Sequence, residues 1–418
     1  MKRNVIVGQS GGPTAAINSS LAGVYRTAKD RGANKVYGML HGVQGLLEEK
    51  YIDLSDHIKT ELDAELLKRT PAAFLGSCRY KLPEIHEDRE VYDKIFSILD
   101  KLDIEAFIYI GGNDSMDTIK KLSDYAIITG HPTRFVGCPK TIDNDLALTD
   151  HTPGYGSAAK YIGTSMKEII RDGFCLEYAK GIVTIVEIMG RNAGWLTGAA
   201  ALAQGEDCEG PDMIYLPEHS FDLVKFRDKV QKILDKKTSV VVAVSEGIRT
   251  EDGNYVCELG NSVDFVDAFG HKQLSGTAAY LASYIAGELG CKTRAIELST
   301  LQRAASHAAS RVDILEAYQV GGAAVKAADE GDSGKMVVLQ RLSDDPYQCG
   351  TEVKDVHKIA NDEKLVPPEW VTKDGTYVSS EFISYVRPLI QGDVSPVMVD
   401  GIPRHLYTPR ELSERNKK

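Results

Sequence analysis

Short runs of β-branched and aliphatic residues alternate along the first 150 positions with longer stretches whose apolar residues recur at helical spacing. Asn4-Val5-Ile6-Val7 runs into the turn Gly8-Gln9-Ser10-Gly11-Gly12-Pro13, and Ile17, Leu21, Val24 and Tyr25 then trace one face of a helix. Lys35 to Met39 reads as a strand, 89 to 102 as a helix, and Ala106 to Ile110 as a strand ending at Gly111-Gly112, with a helix expected after Ser115. Strands rich in Val and Ile, separated by helices, predict a parallel sheet covered on both faces, hence an α/β fold. The same alternation returns at Gly181 to Val186, Met213 to Leu216 and Ser239 to Val244, which predicts a second α/β domain beyond a boundary near 150 to 160. The last fifty residues carry Pro367, Pro368, Pro388, Pro396 and Pro403 with little periodicity, and read as an extension wrapped on the body.

The chain has 418 residues, more than one core of ordinary size accommodates, so two to three domains are expected. Lys and Arg number 49 against 60 Asp and Glu, a net charge of −11 that argues against a nucleic-acid coat. No window approaches the roughly 18 consecutive apolar residues of a membrane span, and the start MKRNVIVGQSGG reads as a strand and turn rather than a leader. A soluble, cytoplasmic protein is the expectation. The seven cysteines are scattered without a C-x-x-C pair, so they are read as reduced and structural rather than as zinc ligands or a redox dithiol.

Chemistry concentrates in three turns where a strand meets a helix, the places at which free N–H groups and the helix dipole favour anions. Ser10-Gly11-Gly12 is neither a Walker A loop nor G-x-G-x-x-G, and by itself is only a tight turn, while the missing glycine fingerprint argues against a dehydrogenase. Gly111-Gly112-Asn113-Asp114-Ser115 sets an amide and a carboxylate after two glycines; its plain reading is a helix start capped by Asn113, Asp114 or Ser115. Cys138 to Asp145 gathers Lys140, Asp143 and Asp145 at the end of an apolar run. A cation beside carboxylates suits phosphoryl transfer, which needs positive charge on the moving phosphate and a base on the accepting hydroxyl.

The ordered set Gly111 to Ser115, Pro139-Lys140-Thr141-Ile142-Asp143-Asn144-Asp145, Met189-Gly190-Arg191 and Leu301-Gln302-Arg303 closely resembles the phosphofructokinase family, over roughly residues 1 to 350. The resemblance implies two Rossmann-like parallel-sheet domains. Residues 1–154 with about 302–365 would hold the phosphoryl donor, 155–301 the sugar phosphate, and 366–418 would be a packed extension. It implies Asp143 as the base toward the C1 hydroxyl of fructose 6-phosphate, with Thr141 positioning the phosphoryl group and Lys140 and Arg191 neutralising charge. Met189, Gly190, Arg191 and Glu246 would bind the sugar. Arg294 and Arg303 would bind its 6-phosphate, one such arginine reaching across from a neighbouring subunit, so a homodimer or homotetramer with shared active sites is implied. Two departures stand out: Thr300 replaces the family's histidine before Leu-Gln-Arg, and only Lys180 lies near the place of an arginine found in ATP-dependent members.

Donor choice is read from Asp114 and Lys140, both glycine in ATP-dependent members. A carboxylate at 114 would repel a nucleotide's α-phosphate, whereas Lys140 would bring an ammonium to a shorter donor, the pattern of pyrophosphate-dependent members. Gly11, Gly12 and Gly112 would cradle the donor and Arg79 would clamp it. No aromatic stands in His41 to Gly45, although Tyr80 offers a stacking face. The family's metal-binding aspartate is Asn113 here, so Mg²⁺ dependence is expected with the ion held by Asn113, Asp114 or Asp145 through water. The competing readings are an ATP-dependent 6-phosphofructokinase, and a non-catalytic regulatory subunit, against which the presence of Asp143, Lys140 and Arg191 argues.

Overall fold

The computed structural model describes residues 1–176, 178–260 and 274–415. Its strands in chain order include β1 (Asn4–Gln9), β2 (Val36–Met39), β3 (Tyr51–Asp53), β4 (Ile104–Gly111), β5 (Arg134–Pro139), β6 (Ile182–Ile188), β7 (Met213–Tyr215), β8 (Ser220–Phe221), β9 (Ser239–Ser245), β10 (Arg249–Thr250), β11 (Lys292–Glu297), β12 (Lys335–Asp344) and β13 (Tyr347–Asp355). Seven of them form one sheet in the order β13-β12-β5-β4-β1-β2-β3, parallel except for the two edge strands β3 and β13. A second sheet of four parallel strands runs β11-β6-β9-β7, and β8 pairs with β10 as a short ribbon.

The central strands β1, β4, β6 and β9 are buried almost throughout because Val, Ile, Ala and Phe occupy both of their faces, as burial under helices on both sides requires. In the larger sheet β1 lies between β2 and β4, so the chain leaves it in both directions and opens a crevice where the ends of β1 and β4 part. The helix after β4 spans Asn113–Thr129, one turn earlier in effect than a start after Ser115, and its N-cap is Gly112 with no side-chain cap. Asn113, Asp114 and Ser115 therefore form the first helical turn and none of them is the cap.

After residue 366 irregular backbone joins short elements, among them the helices Ser380–Val386 and Pro409–Arg415. Its attachment comes from single apolar residues: Val366, Val371, Val378, Phe382, Val386 and Leu389 are buried in the same core as Leu196, Ala199 and Ala200. Trp195 stacks on Phe382 at 5.9 Å, and Trp370 meets Tyr385 at 5.2 Å. Each such side chain contributes about 1.5–3 kcal/mol by leaving water, enough to hold a segment with no regular hydrophobic period. All seven cysteines are free, and among the described residues no helix is long and apolar enough to cross a membrane.

Candidate active site

The carboxyl ends of strands from both sheets face one cleft of about 1280 Å³. Every residue expected to bind donor, sugar or metal lines it, with the exceptions of Arg294 and Tyr80.

Lys140 directly follows β5, and its backbone N–H donates to Gly111 O at 3.0 Å, tying the turn to the end of β4. The residue is only 2% exposed, and its ammonium donates to Gly12 O at 2.8 Å. Gly11 has φ +76°, and a Cβ there would stand 3.3 Å from the ammonium, so glycine both permits the turn and leaves room for the charge. Burial lowers the Lys140 pKa to about 8, while Asp143 and Asp145 oppose that shift.

Asp143 is oriented by its neighbour: the Thr141 hydroxyl donates to Asp143 Oδ2 at 3.2 Å and accepts from the Asp143 N–H at 3.1 Å. Burial raises the Asp143 pKa; the bond from Thr141 and the charges of Lys140, Arg191 and Arg303 pull the other way. Asn144, the next residue, is fully buried at φ +54°, in the left-handed region. Its Oδ1 accepts from Thr152 N at 3.1 Å and its Nδ2 donates to the Tyr385 hydroxyl at 2.9 Å. Asn144→Ala should destabilise the fold by about 2–4 kcal/mol, since it loses both bonds and keeps a conformation that costs alanine about 1–2 kcal/mol. Urea unfolding measures this, and a change under about 1 kcal/mol would show that the turn does not depend on Asn144.

On the sugar side, Gly190 follows β6 at φ +131°, and a Cβ there would lie 2.6 Å from Ala193 O. Ser245 Oγ, at the end of β9, donates to Gly190 O at 2.6 Å, which fixes the turn carrying Arg191. Glu246 Oε1 accepts from Gly190 N at 3.3 Å, and burial, reinforced by the charge of Asp143, raises the Glu246 pKa to about 7. Gln302 Oε1 accepts from Met189 N at 3.1 Å, so the middle residue of Leu301-Gln302-Arg303 braces the Met189 turn.

Arg303, expected at the sugar phosphate alone, reaches further. Its guanidinium lies beside Gly12 and within the field of Arg79, Asp143 and Glu246, and burial followed by Arg79 lowers its pKa. With Arg79 it borders a side recess of about 220 Å³ against Gly11, Gly12 and Pro13. Thr300, at the place of the family histidine, lines the cleft.

Arg294 is the expectation that this chain does not bring to its own cleft. It sits three residues before the end of edge strand β11, too early for the cleft rim, and its NH1 pairs with Asp172 at 2.7 Å.

Asn113, expected to help hold the metal, lines the cleft and also has a structural role. Its Oδ1 accepts from Asn361 N at 3.1 Å and its Nδ2 donates to Asp362 O at 3.0 Å, so its amide anchors a distant segment. That segment brings Asn361, Asp362 and Glu363 to the cleft wall, which no local signal in the sequence announces. Asp145 and Glu363 both line the cleft; burial, then Asp143 and Glu363, raises the Asp145 pKa to about 7. Carboxylates held close against mutual repulsion are the hard oxygen donors that a divalent cation takes. Sequence reasoning also passed over Glu187, whose signal is a lone acid inside the apolar run of β6. Glu187 is 5% exposed, accepts from Ala278 N at 2.8 Å at the start of helix Thr277–Leu289, and burial raises its pKa to about 7.

The family model described as Phosphofructokinase matches residues 4–328. The chain belongs to the phosphofructokinase family. Among similar phosphofructokinase-family proteins is the pyrophosphate–fructose 6-phosphate 1-phosphotransferase of Xanthomonas campestris pv. campestris (strain B100), 41% identical, with 96% of this chain and 95% of that protein covered. The protein of the same name from Halomonas elongata is 40% identical, covering 99% and 98%. The crystal structure of the pyrophosphate-dependent phosphofructokinase from Nitrosospira multiformis superposes with a TM-score of 0.87 at 36% identity, covering 97% of this chain and 96% of that one.

Proposed function

We propose that the protein transfers a phosphoryl group reversibly between pyrophosphate and the C1 hydroxyl of fructose 6-phosphate, giving fructose 1,6-bisphosphate and orthophosphate. The observation that carries the donor assignment is the charge at the donor turns: a buried ammonium at Lys140 and a carboxylate at Asp114, both on the cleft that holds Asp143. The full-length relatives bear the matching name.

In this reading residues 1–154 with about 302–365 hold pyrophosphate and 155–301 hold the sugar. Asp143 takes the C1 hydroxyl proton as that oxygen forms its bond to the near phosphorus. The bridging P–O bond breaks and its electron pair stays on the departing orthophosphate, which Lys140, Arg79, Arg303 and the N–H groups of the Gly11-Gly12 and Gly112 turns receive. Arg191 and Glu246 orient the sugar. Catalysis rests on positioning and charge neutralisation. Enzymes of this family generally use a divalent metal; here Mg²⁺ would be held by Asp145 and Glu363 and would neutralise donor oxygens. Arg294, half-buried on the edge of the smaller sheet, would serve a neighbouring copy in a homo-oligomer.

The test is the initial rate of fructose 1,6-bisphosphate formation with pyrophosphate or with ATP. Turnover with pyrophosphate at least 100-fold above that with ATP is expected; a preference for ATP would overturn the donor assignment.

A further inference from the structure

During in-line transfer the departing phosphate lies farther from Asp143 than the moving one, and one course open to a group attached to it runs past Gly11-Gly12 and along the helix Asn113–Thr129, whose Asn113, Asp114 and Ser115 line the cleft. The cleft's lining on that helix stops at Ser115. About one and two turns beyond Asp114, Asp117 and Lys121 are 7% and 5% exposed and lie beneath two unrelated segments of the chain. From one side, Lys121 Nζ donates to Leu82 O at 2.9 Å and pairs with Glu84 at 2.9 Å and Asp117 Oδ2 at 2.8 Å, drawing the 82–84 loop onto the helix. From the other, Asn361 Nδ2 donates to Asp117 Oδ1 at 3.3 Å, and the Asn113 amide holds 361 and 362 in place.

We propose that Asp117, Lys121 and Asn361 form a clasp that determines donor specificity, by filling the surface on which a nucleoside attached to the departing phosphate would rest. The inference rests on the pyrophosphate reading and adds to it. Asp114 and Lys140 act at the phosphates; the clasp acts one turn beyond, through occupied volume. Its consequence is that glycine at 114 and 140 does not by itself admit a nucleotide.

Four chains test this by calorimetric titration with MgATP: the parent, Asp114→Gly with Lys140→Gly, Asp117→Ala with Lys121→Ala, and all four changes together. Removing Asp117 and Lys121 as a pair leaves no unbalanced buried charge between them. MgATP is expected to bind the fourfold variant at least tenfold more tightly than the Asp114→Gly, Lys140→Gly chain, and a smaller gain overturns the clasp. The Asp117→Ala, Lys121→Ala chain alone should keep its KM for pyrophosphate within about threefold of the parent, since neither residue lines the cleft. If thermal melting shows that chain to be unfolded, Glu84→Ala with Asn361→Gly, both at exposed positions, replaces it under the same tenfold criterion. A parent that prefers ATP in the rate assay overturns the pyrophosphate reading, an outcome separate from failure of the clasp.

Discussion

Asp143→Ala is expected to lower turnover by about 10³-fold, about 4 kcal/mol of transition-state stabilisation, with fructose 6-phosphate affinity unchanged within about threefold. The carboxylate is held by the Thr141 hydroxyl, whose oxygen in turn accepts from the Asp143 N–H, so it needs no reorganisation to receive a proton. Burial makes it a stronger base than a surface aspartate, while Lys140, Arg191 and Arg303 keep it ionised enough to act. In the proposed function the sugar contacts would come from the separate turns of Arg191 and Glu246, which the substitution leaves standing. Single-turnover rates with pyrophosphate, beside calorimetric titration with fructose 6-phosphate, separate the two effects. Turnover within tenfold of the parent would show that another group takes the proton.

The second large effect is at Lys140. Lys140→Met keeps most of the side-chain volume and removes the charge, and kcat/KM for pyrophosphate should fall about 10²- to 10³-fold, in line with the loss of one preorganised charge contact to a transferring group. The pH dependence distinguishes charge from packing. A lysine is cationic below its pKa, and burial has brought that of Lys140 down to about 8. In the free enzyme the cation is therefore lost as pH rises through about 8, and kcat/KM for pyrophosphate should decline about tenfold per pH unit above it. Bound pyrophosphate favours the charged form, so kcat should stay flat to higher pH. Lys140→Met should lose the alkaline decline altogether; a decline that persists in the variant would assign it to another group.

The parts of the site that were legible are those built from neighbours in the chain. Lys140, Thr141, Asp143 and Asp145 share one turn, and the end of an apolar run tells which end of a strand that turn occupies. The Gly11-Gly12 and Met189-Gly190-Arg191 turns were visible for the same reason: φ values of +76° and +131° call for glycine, and glycine is a sequence-level mark. That Arg294 stays out of this chain's own cleft was not visible in its residue type, because register along β11 is a property of sheet pairing. The anchoring role of Asn113 was not visible because its amide bonds residues more than two hundred positions away.

The sequence by itself determined the α/β class and the turns that line the cleft, with the charged residues Asp114 and Lys140 on them, all of which depend on residue type and on spacing within a few positions. Only the tertiary structure decided that Asn361 to Glu363 wall the cleft, that Arg303 sits against the donor turn, and that Tyr385 holds Asn144. The physical reason is that periodicity and turn chemistry are local. A contact made by an irregular segment depends on which isolated apolar residues, such as Phe382 and Val386, find room in a core assembled from the rest of the chain.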